Sequence, residues 1–203
     1  KPLVEDALSL PVRTGKARVI GIEPASLVTK SLVREVKTDD AGCFQSALNP
    51  GLTKIAVIER HKRTGKLGIG ILEGYGLTGG AIATTISHDS HNIVVAGDND
   101  PDMLLAVREL ADMGGGIVSV HGGAIRRLPL PIAGLMTSAD PQEVNAVLHD
   151  MLVAARAELG IPEDVEPFMT LSFMALPVIP ELKLTARGLF NVNTFSFVGV
   201  EAD

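Results

Sequence analysis

Ile117-Val118-Ser119-Val120-His121-Gly122-Gly123-Ala124-Ile125-Arg126-Arg127-Leu128 is the stretch that decides the fold. Two runs rich in strand formers bracket a Gly-Gly pair, which supplies the positive φ angles that a tight, right-twisted hairpin turn needs. A helix is expected on each side. Upstream, Asp100 reads as a cap and Pro101 fits the first turn. Met103, Val107 and Leu110 then repeat along one face, and Gly114-Gly115-Gly116 stops the helix. Downstream, Asp140 caps, Pro141 opens the helix, and Glu143 stands three residues after the cap, a capping-box arrangement. Val144, Val147, Leu148, Met151, Leu152, Ala155 and Leu159 form its apolar face before Gly160 ends it.

Working outward, residues 54–60 and 67–72 read as paired strands joined by a loop longer than two residues. Gly68 and Gly70 in the second of them would let another backbone come close. Residues 81–86 and 92–96 are two more apolar strands, and 192–200 reads as a last one. Residues 17–22 and 31–36 are short strands within a more extended region. The resulting fold class is α+β: sheet layers with two main helices packed on a sheet face, preceded by short extended strands. Residues 1–50 are expected to be strand segments of a preceding or composite region, and residues 51–203 to form the main domain.

Composition narrows the class. The 203 residues are 46% hydrophobic and 21% charged, enough apolar material for a core and against disorder. With no Trp and six Phe, that core must be mainly aliphatic. A net charge of -6 and a single compact basic run, Arg60-His61-Lys62-Arg63, argue against a nucleic-acid partner. No apolar stretch reaches bilayer length, so no membrane partner is expected. The single cysteine, Cys43, excludes an internal disulfide framework and fits a cytoplasmic location.

Two clusters could carry chemistry. The first is His88, Asp89 and His91, with Ser90 and Asn92 beside them. Imidazoles and carboxylates are proton carriers or metal ligands at neutral pH, but Asp and Ser equally hold turns by bonding to backbone. In a strand, His88 and His91 would face opposite sides; a turn could bring them together. The second cluster is Glu59, Arg60 and His61 at a strand end, where Glu59 could orient its neighbours toward a substrate. The alternative there is a solvated hairpin turn. Asp98, Asn99, Asp100 and Asp102 are explained by helix capping, since no twelve-position calcium loop surrounds them. Gly74-Tyr75-Gly76-Leu77-Thr78-Gly79-Gly80 lacks the Lys-Ser/Thr of a phosphate loop.

Longer blocks add specificity. Lys54-Ile55-Ala56-Val57-Ile58-Glu59-Arg60-His61, Gly79-Gly80-Ala81-Ile82-Ala83 and Ser87-His88-Asp89-Ser90-His91-Asn92 resemble, in order, blocks of the adenine deaminase family of the amidohydrolase superfamily. So do Leu130-Pro131-Ile132-Ala133-Gly134-Leu135-Met136, Pro167-Phe168-Met169-Thr170-Leu171-Ser172-Phe173 and Leu176-Pro177-Val178-Ile179-Pro180-Glu181-Leu182-Lys183-Leu184-Thr185. The resemblance implies hydrolysis of adenine to hypoxanthine and ammonia in purine salvage. It also implies a divalent metal (Mn, Fe or Zn) held by an N-terminal barrel. This sequence has no His-x-His pair and is too short to add a barrel to these blocks. The likeness is therefore to the C-terminal portion, assigned to residues 51–203, with no metal expected in it. Its implied partners are the N-terminal barrel, adenine in the full-length enzyme, and a further copy in a homo-oligomer. Candidate catalytic residues are His88, Asp89 and His91; Glu59, Arg60, His61, Ser90 and Asn92 are placed on the substrate or interdomain surface. Two alternatives stay open: a stand-alone purine-binding or assembly module without catalysis, and a self-sufficient enzyme built on His88 and His91.

Overall fold

The computed structural model describes residues 5–202. In chain order it contains β1 (Lys16–Ile22), β2 (Thr29–Glu35), β3 (Leu52–Ile58), β4 (Leu67–Glu73), β5 (Gly80–Thr84) and β6 (Ile93–Gly97). These are followed by α1 (Asp100–Asp112), β7 (Gly116–His121), β8 (Ala124–Pro129), α2 (Pro141–Ala157) and α3 (Pro167–Phe173). The chain closes with β9 (Leu182–Thr185), β10 (Gly188–Asn191) and β11 (Ser196–Val198). The first eight strands form one sheet in the order β2-β1-β4-β3-β6-β5-β7-β8, and the last three form a small second sheet. Every neighbouring pair is antiparallel except β1 and β4.

Strands β5 and β6 are buried along their whole length because both faces of the sheet are covered. Side-chain alternation divides the core in two. Ile55, Val57, Ile82, Val94 and Ala96 pack with Met151 and Ala155 of α2 and Leu171 of α3. Ala56, Ala81, Ala83 and Val95 pack with Met103, Ala106, Val107 and Leu110 of α1. The α+β class holds, with the helices shared between the two faces rather than gathered on one. Adjacent residues of β8 lock both layers. Arg126 makes a two-pronged contact with Glu158 at 2.6 and 2.8 Å, beyond the end of α2, and Arg127 reaches Glu109 of α1 at 2.5 Å.

The expected hairpin is present, with Gly122 at φ 54° and Gly123 at φ 80° in its turn. Helix α1 starts one residue differently: Asn99 is the cap, accepting from the Asp102 amide. Asp100 instead meets the buried Lys54 ammonium at 2.5 Å. Helix α2 is capped by Asp140 as expected but stops at Ala157, leaving Leu159 as a core residue beyond it. The strand expected over 81–86 ends at Thr84, and that over 192–200 shrinks to Ser196–Val198. Helix α3 and strands β9 and β10 carry no clear signal in the sequence pattern.

Gly68 does admit another backbone: a Cβ there would lie 2.0 Å from the Thr185 carbonyl oxygen, so the small sheet rests directly on β4. Lys183 of β9 is fully buried, its Nζ donating to the Leu27 carbonyl at 2.8 Å. The closing residues return to the first strand. Arg18 N donates to Val200 O at 2.6 Å and Ala202 N to Lys16 O at 3.0 Å, along β1 short of its two-residue register with β4.

Candidate functional site

Strand pairing brings the polar segments to one end of the large sheet. Ile58 pairs with Leu67 and Ile93, Thr84 with Val94 and Ile117, and Pro129 with Gly116. The connections 59–66, 85–92 and 130–140 therefore leave the sheet side by side. The acidic cluster at 98–102 lies at the opposite end, where Ala81 pairs with Gly97. There the Asp98 carboxylate accepts from the Gly79 and Gly80 amides, consistent with a structural role.

Arg60 ties the three connections together. Its Nε donates to His91 O at 2.6 Å and its Nη2 to Ala133 O at 2.7 Å, and partial burial lowers its pKa. Thr85, a residue without a sequence signal, adds a second tie: its hydroxyl donates to Gly134 O at 2.6 Å and accepts from Gly116 N at 2.8 Å. His61 Nε2 donates to Ser90 O at 2.8 Å. Glu59 is turned into its own loop, accepting from the amides of His61, Lys62 and Thr64 and from the Thr64 hydroxyl. Those donors, the backbone amides of Thr64 and Lys62 foremost, pull its pKa down to about 2.

In the 85–92 connection His88 and His91 are half-buried, Asp89 and Ser90 exposed, and Asn92 buried. A turn does bring the two imidazoles near each other, with ring centroids 6.2 Å apart. The His88 ring lies against Phe173 of α3 at 4.4 Å, and its amide donates to Ser172 O. His91 sits at φ 48°, in the left-handed region. Three buried polar atoms in this one connection, Ser87 Oγ, His91 Nδ1 and Asn92 Oδ1, have no hydrogen-bond partner. Such orphans are rare in folded proteins, because each costs desolvation without repayment.

A divalent ion of the kind implied by the resemblance needs several converging ligands. Among the described residues no three His, Cys, Asp or Glu side chains come together in that way, so these residues do not fit such an ion. Also among the described residues, no helix is long and apolar enough to cross a membrane.

Beside the 88–92 segment runs a groove of about 800 Å³, bounded on its far side by the small sheet. Asp89, Ser90 and Asn92 line it together with Pro177, Val178, Phe190, Phe195 and Phe197. Val178 is 68% and Phe195 76% exposed. Sequence reasoning missed this wall; exposed phenylalanines in a chain so poor in aromatics were the available signal.

Fold and site together define a two-faced α+β domain that presents polar loops at one sheet end. Residues 26–196 match the family model for the adenine deaminase C-terminal domain. The chain belongs to that family. It is 59% identical over 201 residues to an adenine deaminase of Nitratidesulfovibrio vulgaris strain Hildenborough, covering 98% of this chain and 35% of the relative. It is 47% identical over 201 residues to adenine deaminase 2 of Carboxydothermus hydrogenoformans, with the same coverages. An adenine deaminase of Clostridium acetobutylicum is 45% identical over 199 residues, again 98% of this chain and 35% of the relative. The chain thus spans about a third of the length of these relatives.

Proposed function

We propose that this chain is the C-terminal portion of a metal-dependent adenine deaminase, and that its loop end supports or closes an active site carried on an N-terminal barrel. The observation carrying this reading is the convergence of three polar connections at one sheet end, laced by Arg60 to the carbonyls of His91 and Ala133. A surface that completes another domain's pocket needs such a constellation held on rigid strands. The half-buried His88 and His91 offer groups that a docked pocket could desolvate and use for hydrogen bonding. Metal and bound water belong, in this reading, to the barrel.

The test is hypoxanthine and ammonia release from the purified chain with added Mn²⁺, Fe²⁺ or Zn²⁺, alone and mixed with the N-terminal portion of the Nitratidesulfovibrio relative. The chain alone is expected to be inactive, and the mixture to turn adenine over. Sustained turnover by the chain alone, abolished by His88→Ala or His91→Ala, would overturn the proposal and place the catalytic centre here.

A further inference from the structure

We infer that the cavity between the 59–66 connection and α1 binds a small organic acid, one carboxylate carried on a short aliphatic body. This goes beyond the deaminase reading, which gives the α1 side of the domain no ligand. The cavity measures about 570 Å³, within the range of small-molecule sites. Arg60, Arg63 and Arg108 line it together with an aliphatic surface. Ile58 and Ile93 supply that surface from the ends of β3 and β6, and Val107 and Ala111 from α1.

The arginines are kept from the acids that would neutralise them. Among the described residues no carboxylate forms an ion pair with Arg63 or Arg108, although the chain carries a net charge of -6. Glu59, the nearest acid in sequence, is spent on the amides of His61, Lys62 and Thr64. Those bonds flank Arg63 and hold it at φ 52°, in the left-handed region that a non-glycine residue adopts only when its surroundings fix it. A guanidinium on a loop fixed in this way is preorganised for an anion, and its planar fork matches the two oxygens of a carboxylate. Arg60 commits Nε to His91 O and Nη2 to Ala133 O, which anchors one wall of the cavity to the other two connections. Charge selects the ligand. The three arginines face Glu59 and Asp112, and the carbonyl end of α1 lies at Asp112. A monoanion is matched by that balance, whereas a phosphate dianion is opposed by it. The aliphatic surface then takes the carbon body, each buried methylene adding to affinity.

NMR titration of this chain with 3-methylbutanoate, its uncharged amide, acetate and inorganic phosphate tests the site. The branched acid is expected to bind one to one with a dissociation constant of about 1 mM. Its amide should bind about tenfold more weakly for want of the charge, and acetate about tenfold more weakly for want of the buried carbons. Arg63→Ala and Arg108→Ala change exposed side chains, so the melting curve should not move. Each should weaken the acid about fivefold, and the double substitution should abolish saturation. Failure of the acid to saturate the chain by about 20 mM, an amide that binds as well as the acid, or binding indifferent to the double substitution overturns the inference. Phosphate binding more tightly than the acid overturns it as well. So does association with the N-terminal portion of the Nitratidesulfovibrio relative that the double substitution weakens while the acid does not bind, which would assign the arginines to domain docking. No turnover enters the assay, so its failure would leave the deaminase reading to stand or fall on the mixing experiment.

Discussion

Lys183 offers a sharp test of how the small sheet is joined to the rest. Its side chain is fully buried, its ammonium meets the Leu27 carbonyl, and no carboxylate forms an ion pair with it among the described residues. Burial lowers its pKa from 10.5 to about 8. A drop of that size means that folding is penalised by up to about 3 kcal/mol while the lysine is charged in both states. Below pH 8 native and unfolded chains both hold the proton and the penalty is complete. Between pH 8 and 10.5 the native chain releases it while the unfolded chain keeps it, so stability rises with pH across that window. Above 10.5 the penalty is gone. Lys183→Met removes the titration and leaves Leu27 O without its donor, a loss of about 1–2 kcal/mol that does not vary with pH. Urea unfolding followed by circular dichroism at intervals from pH 7 to 10.5 separates the two effects. The stability of the parent chain relative to the variant should climb by about 2–3 kcal/mol over the window. Parallel stability curves would refute the reasoning, because they would mean that Lys183 titrates alike in both states.

Two further outcomes follow from local geometry. Gly68→Ala should cost about 3 kcal/mol in urea unfolding, since its Cβ would meet the Thr185 carbonyl at 2.0 Å. Gly122→Ala, with open space but φ 54°, should cost only about 1 kcal/mol; equal losses would count against the packing of the small sheet on β4. For Glu59, the depressed pKa means that its contribution to the 59–64 turn is present above pH 4.5 and lost as pH falls through about 2. The NMR shifts of the His61, Lys62 and Thr64 amides should therefore titrate near pH 2 and not in the ordinary carboxylate range.

The parts of the fold legible in the sequence are those fixed by local chemistry. Gly122-Gly123 marks its hairpin, Asp140-Pro141 starts α2, and the triple glycine after α1 stops it, because turns and caps depend on a few adjacent residues. The buried strands β3, β5 and β6 stand out as apolar runs, but such runs do not say that helices cover both faces. The parallel pairing of β1 with β4 leaves no local trace. Strands β9 and β10 escape notice because each has four residues and β9 carries a lysine inward. At the candidate site, charged and imidazole side chains amid apolar strands drew attention to 59–61 and 88–92. Their partners did not, because His91 O, Ala133 O and Gly134 O are backbone groups that every residue possesses. The groove escaped for a related reason: Asn92 and Phe195 are more than a hundred positions apart along the chain.

The return of residues 199–202 to β1 bears on how this domain matures during synthesis. One edge of the first strand is shared between β4, which reaches Ile20 and Gly21, and the closing residues, which reach Lys16 and Arg18. Half of that edge therefore keeps exposed amides and carbonyls until almost the whole domain has left the ribosome. Contacts so distant in sequence form slowly, and an unpaired edge invites other strands in the meantime. A nascent chain arrested just before Val200 should hold β3 to β8 in native order, yet remain open to protease and to chaperones at β1.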